Sequence, residues 1–266
     1  MSAKSSPEIR YVDTHCHLDG DDFAEDLPQV LERASADGVT RWINVGYAPE
    51  RWLDSIRLST RFDGMSFVLG VHPGHAAEWS PDVERDLRNL IEMYRPVAVG
   101  EIGLDFYRGE TNVDQQIEAF VRQLALAREF DLPVAIHMRD AEELVLQTLD
   151  AQPALPRLLF HSFDGSSALT EWINDRDAYI GVGGLATRRK SDQLRRHIAT
   201  IGLDRIVLET DSPYLVPNGF KHRRNTPESI PFIARSVADL FETDVEEVAS
   251  RTTANANHLF WSQSHT

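Results

Sequence analysis

A chain of 266 residues, 42% hydrophobic and 26% charged with 15 Gly and 13 Pro, has the length and composition of one ordinary globular domain, which excludes a disordered or fibrous protein. Its 27 Lys+Arg against 42 Asp+Glu leave a net charge of −15, so any polyanionic partner must be met locally, by bound cations or a basic patch. No apolar run approaches the ~18 residues of a membrane span, the opening MSAKSSPEIR lacks a secretory apolar stretch, and the single Cys16 excludes a disulfide framework. The expectation is a cytoplasmic protein with no membrane contact and no obligate protein partner.

After a loose tail over residues 1–9, eight short runs rich in β-branched and apolar residues begin near Tyr11, Val39, Met65, Pro96, Leu132, Arg157, Ala178 and Arg205. Each is followed by a stretch of helical periodicity, such as DQQIEAFVRQLALAREF from Asp114. Repeated strand–helix units with nearly continuous apolar strands predict a parallel sheet covered by helices. Eight of them predict closure into a single TIM-type (β/α)₈ barrel spanning 1–266. An open doubly wound sheet is the alternative, but THCHLDG stands where its Gly-rich phosphate loop belongs.

Barrel enzymes place their active sites at the C-terminal ends of the strands. His15 and His17, two residues apart on the first run, project from one face and can share an ion. Glu101 is expected to end the fourth strand in GEIGLD, His137 the fifth in IHMRD, His161 the sixth in FHSF and Asp211 the eighth in ETDSP. Singly, each has a plain structural reading as a helix cap or a hydrogen-bonded core histidine. Together, four imidazoles and two carboxylates at one barrel mouth are costly to bury without a partner. Six ligands exceed the needs of one catalytic ion, which predicts two divalent ions sharing a carboxylate. Histidine-rich ligation suits Zn, Mn or Fe, whereas phosphoryl transfer commonly uses Mg, so the metal stays open.

DTHCHLD, GVHP, GEIGLDF, IHMRDA, FHSFDG, ETDSPYL, RRN.P and TTANANHLF, in this order along nearly the whole chain, closely resemble the TatD family of metal-dependent deoxyribonucleases. The resemblance implies a first ion on His15, His17, Glu101 and Asp211, and a second on Glu101, His137 and His161, with Glu101 as the bridge. It implies hydrolysis of DNA phosphodiester bonds, working 3′ to 5′ on single strands or frayed ends. Asp211, Glu101 and His72 are then the catalytic residues: Asp211 takes the proton of the attacking water, and His72 and Arg139 steady the phosphate. The chain departs from the family in two places. GVHPGH displaces His75 by one residue, and Thr226 stands where the family's RNEP carries glutamate.

Arg139, two residues beyond His137, either forks onto a phosphate or pairs with Asp140 or Glu142. Arg188, Arg189 and Lys190, with Lys221, His222, Arg223 and Arg224, form basic clusters on loops expected at the mouth, where Arg188, Arg189 and Arg224 would bind substrate. Tyr214, Phe163 and Phe106 either stack on bases or pack. Two other functions fit the same scaffold: hydrolysis of a small amide, lactone or ester, and a catalytically silent binding barrel.

Overall fold

The structure, a computed structural model, describes residues 10–262 apart from Arg108, Glu110 and Thr111; the expected tail over residues 1–9 lies outside the described residues. Eight parallel strands follow one another around one sheet: β1 (Tyr11–Cys16), β2 (Val39–Gly46), β3 (Met65–Leu69), β4 (Ala98–Asp105), β5 (Val134–Arg139), β6 (Leu158–Phe160), β7 (Tyr179–Val182) and β8 (Ile206–Leu208). Between them run α1 (Leu27–Ala36), α2 (Pro49–Arg61), α3 (Pro81–Tyr94), α4 (Val113–Glu129), α5 (Glu142–Asp150), α6 (Ser167–Arg176) and α7 (Asp192–Ile201), and β8 is followed by α8 (Ile230–Phe241) and α9 (Val245–Trp261). Local chemistry sets these boundaries. Helix α3 opens with Pro81 in its first turn behind Ser80, whose hydroxyl accepts from the Val83 N–H, and closes on Arg95 in the left-handed region.

Alternation along the strands separates two cores. Tyr11, Trp42, Phe67, Leu69 and Val99 face outward and pack beneath the helices. Val12, Ile43, Val68, Ala98, Leu159, Tyr179 and Val207 form a second cluster with Ala256, Leu259 and Phe260 of α9, so α9 packs against the inward-facing set. The barrel closes through the segment after β8. Asp211 donates its N–H to the His15 carbonyl at 2.9 Å, and His17 donates to the Ser212 carbonyl at 2.8 Å. Asp13, fully buried beneath this seam, accepts from the Thr210 N–H at 2.9 Å and hydroxyl at 2.7 Å.

Two shifts of register decide what points into the mouth. Between Asp13 and Cys16, β1 advances three residues while β2 advances two, from Trp42 to Asn44. Between Gly100 and Ile102, β4 advances two while β5 advances one, from Ala135 to Ile136. An extra residue reverses the in-and-out alternation beyond it. Cys16 and Ile102 accordingly pack with the outer core, while His15, His17 and Glu101 turn inward. One expectation is corrected here. Glu101 and His137 lie inside β4 and β5 and not at their ends, because the ladder joining these strands continues to Asp105 and Arg139.

Candidate metal centre

All six expected ligands converge. Glu101 stands at the middle: its Oε1 lies 2.7 Å from His137 Nδ1 and 2.7 Å from His161 Nε2, and its Oε2 lies 3.5 Å from His15 Nε2. Asp211 Oδ1 approaches His17 Nε2 at 3.3 Å and His15 Nε2 at 3.8 Å. The rings of His15 and His161 stack with centroids 3.9 Å apart. Donor atoms gather as His15, Glu101 and His161, as His15, His17 and Asp211, and as His72, Asp105 and His137.

These residues fit divalent cations on a structural ground. His15 is fully buried, yet among the described residues neither of its ring nitrogens has a hydrogen-bond partner, and Nδ1 of His17 and of His161 are also buried without one. Leaving such groups unpaired costs roughly 1–3 kcal/mol each. A cation beside Nε2 of His15, the nitrogen that faces Glu101 and Asp211, would relieve the cost at that atom, and imidazole and carboxylate donors suit a transition metal or Mg.

The electrostatics divide the histidines. Burial, reinforced by the neighbouring His161, lowers the pKa of His15, and burial takes that of His72 down to about 3. Burial also opposes charge on Glu101, but the surrounding histidines, His161 foremost, override it and hold the carboxyl well below the usual range. Asp211 is treated alike: burial opposes ionisation, and the contact with His17 outweighs it. At the seam Asp13 goes the other way, pushed up to about 7 by burial against its bonds from Thr210.

His72 sits at the edge of this centre. Its Nδ1 accepts from the Gly74 N–H at 2.9 Å, and its Nε2 is 3.8 Å from Glu101 Oε1. The displaced His75 turns away to Glu78, at 2.7 Å. Two carboxylates were not anticipated. Asp105 meets His137 Nε2 at 2.9 Å, and buried Glu209 faces His161 Nδ1 at 3.7 Å. Both stand at even spacings from flagged ligands, four residues after Glu101 and two before Asp211, which is the signal that could have revealed them.

The basic residues divide. Arg139 lays its guanidinium over the Tyr107 ring, 3.4 Å from the centroid, and among the described residues it makes no ion pair with Asp140 or Glu142. Arg188 and Arg189 are exposed on the loop after β7. Arg224, expected to bind substrate, has its fork taken up by Asp26 Oδ2 at 2.7 Å and by the Asp22 carbonyl, above the Phe23 ring. The reason is tertiary, since the loop after β8 lies against the segment joining β1 to α1. Phe163 is buried and Phe106 packs on the core, whereas Tyr214 is exposed.

The chain is similar to known proteins along nearly its whole length. The family model for TatD related DNase matches residues 12–261. The 3′-5′ ssDNA/RNA exonuclease TatD of Erwinia amylovora is 36% identical over 255 residues, which cover 93% of this chain and 98% of that protein. The uncharacterized metal-dependent hydrolase YabD of Bacillus subtilis strain 168 is 34% identical over 249 residues, again 93% of this chain and 98% of that protein. Among solved structures, YJJV, a TatD homologue of Escherichia coli K12, superposes with a TM-score of 0.89 at 32% identity over 95% of this chain and 98% of its own. The chain belongs to the TatD related DNase family.

Proposed function

We propose that the chain is a metal-dependent phosphodiesterase that shortens single-stranded or frayed DNA from its 3′ end, using two divalent ions. The observation that carries this reading is the reach of Glu101, one carboxylate against imidazoles from β1, β5 and the end of β6, which links the cluster of His15, His17 and Asp211 to that of His137 and His161. Relatives at 34–36% identity named as 3′-5′ ssDNA/RNA exonucleases support a nucleic-acid substrate. The first ion is assigned to His15, His17, Glu101 and Asp211, and the second to Glu101, His137 and His161; Mg, Mn and Zn all suit these donors. The barrel is taken as the single domain of the chain.

Divalent ions bound there would acidify a water and offset charge on the phosphate. The remaining chemistry belongs to side chains. Asp211 stays ionised beside His17 and accepts the proton of the attacking water on a carboxylate oxygen. Burial keeps His72 neutral, and because its Nδ1 accepts from Gly74, its proton sits on Nε2. That N–H faces the centre and donates to a non-bridging phosphate oxygen. Arg139 is held on Tyr107 at the rim, where it adds positive charge near the incoming strand, and Arg188 and Arg189 add more from the exposed loop after β7.

One 5′-labelled oligonucleotide, single-stranded and annealed, is the test, at fixed metal and ionic strength. The expected result is a ladder of products shortened from the 3′ end, formed faster from the single strand. Internal cuts, equal rates on duplex, or turnover confined to small lactones, esters or amides overturn it.

A further inference from the structure

An arc of aromatic rings runs along one side of the mouth. The ring of Tyr214 meets that of His17 at 5.9 Å between centroids, His17 meets Tyr47 at 5.4 Å, and Tyr47 meets His75 at 5.6 Å. The members come from the loop after β8, the end of β1, the end of β2 and the turn after β3, so the arc is a product of the fold and not of one segment. The two contacts of His17 are T-shaped, at 65° and 77° between ring planes. Tyr214 is 60% exposed, and the turn that carries it is set by its N–H on the Asp211 carbonyl at 2.8 Å.

We propose that Tyr214, whose ring meets that of His17, is a stacking platform for an unpaired nucleobase of a strand whose phosphate lies at the metal centre. The inference rests on the nucleic-acid reading above and deepens it by naming what holds the bases. A nucleotide with its phosphate beside His17 places the attached base within the reach of the adjoining ring. Tyrosine suits that position: a rigid apolar face with a hydroxyl that stays in water. Stacking on it tolerates every base, because each has a π-face. It also gives single-strand preference a cause distinct from charge, since a base in a duplex already spends both faces on its neighbours. Among the other aromatics at the mouth, Phe163 and Phe106 are packed, Tyr47 is partly buried against the inward-facing core, and Tyr107 has one face covered by Arg139.

The test uses the full-length, metal-loaded protein and two fluorescein-labelled single strands, protected at their last linkages by phosphorothioate. One carries normal bases, and in the other the terminal nucleotides are abasic spacers with the same phosphates. By fluorescence anisotropy the protein should bind the base-bearing strand about 5- to 100-fold more tightly. Tyr214→Ala should bring that ratio towards one, and Tyr214→Trp should keep it. Equal or absent binding of both strands, or a ratio that Tyr214→Ala leaves as it was, overturns the proposal. Unprotected strands separate the two ideas. Cleavage without base dependence would leave the phosphodiesterase standing and remove the platform; base-dependent binding without cleavage would do the reverse.

Discussion

The Glu209 carboxylate lies 3.7 Å from Nδ1 of His161, on the ring edge away from the Nε2 that meets Glu101 at 2.7 Å. Glu209 is 1% exposed, and its Oε1 accepts from the N–H of Ser162, a residue in the left-handed region directly after His161. Gly181 on β7 completes the niche, because a Cβ there would collide with Oε2 of Glu209. A carboxylate behind a metal-binding imidazole fixes which nitrogen carries the proton and raises the basicity of the other. Glu209→Gln is therefore expected to weaken metal binding about 10- to 100-fold while the protein stays folded. Gly181→Ala, which pushes the carboxylate aside, should act in the same direction. Calorimetric metal titration checks both, and unchanged affinity in Glu209→Gln would remove the positioning role.

Metal affinity should rise with pH. In the metal-free protein, burial works against the protonated forms of His17, His137 and His161, but facing carboxylates outweigh it and raise all three: Asp211 for His17, Asp105 and Glu101 for His137, Glu101 foremost for His161. A raised histidine stabilises the metal-free fold fully below its ordinary 6.5 and loses that contribution as pH climbs through the raised value. Glu101 and Asp211, shifted down, contribute above their ordinary 4.5 and 3.8 and lose it as pH falls through the depressed values. A metal must displace the imidazole protons. Titration at about pH 6 and about pH 8, in buffers of different ionisation enthalpy, should show weaker binding and more protons released at the lower pH. Equal affinity and no proton release would contradict the assignment.

The strands were legible because a parallel strand covered on both faces reads as an almost unbroken apolar run, as in PVAVGEIGLD and LPVAIHMRD. His15 and His17 were legible because a spacing of two keeps both on one face whatever the partner strand does. Asp105 and Glu209 were not. In the chain each is one acid among 42, and only the register shift in β4 and the glycine on β7 make room for them at the centre. The partners of Arg224 were hidden for a related reason: basic residues on a mouth loop read as free charge until tertiary structure brings Asp26 to one of them. Distance along the chain conceals such partners.

Replacing Arg224 should accordingly affect the fold more than the substrate. Its fork ties the loop after β8 to the segment after β1, and a partly exposed tie of this kind contributes about 1 kcal/mol at most. Arg224→Ala is expected to lower Tm by about 2–4 °C. Arg188→Ala and Arg189→Ala should leave Tm alone, raise KM for an oligonucleotide, and each reduce the slope of log affinity against log salt by about one. A salt slope that falls in Arg224→Ala and stays constant in the other two would reverse this division.

Asp211 carries the sharpest prediction, because its backbone and its carboxylate do separate things. Its N–H donates to the His15 carbonyl at 2.9 Å, its carbonyl accepts from Tyr214 at 2.8 Å, and its φ of 54° lies in the left-handed region. Asparagine tolerates that region as well as aspartate does, so Asp211→Asn keeps the seam between β1 and the end of β8. The amide oxygen can still face His17 and a cation, although without the full charge. What the amide cannot do is accept the proton of the attacking water. Turnover is expected to fall about 10²- to 10⁴-fold, with Tm close to the parent and most of the metal retained at saturating concentration. The loss should sit in kcat, since proton acceptance belongs to the transition state and not to binding of the strand. Parallel measurement of metal content and single-turnover rate decides the matter. A rate near that of the parent protein in fully loaded Asp211→Asn would mean that another group takes the proton, and Asp105, in contact with His137, would be the next residue to replace.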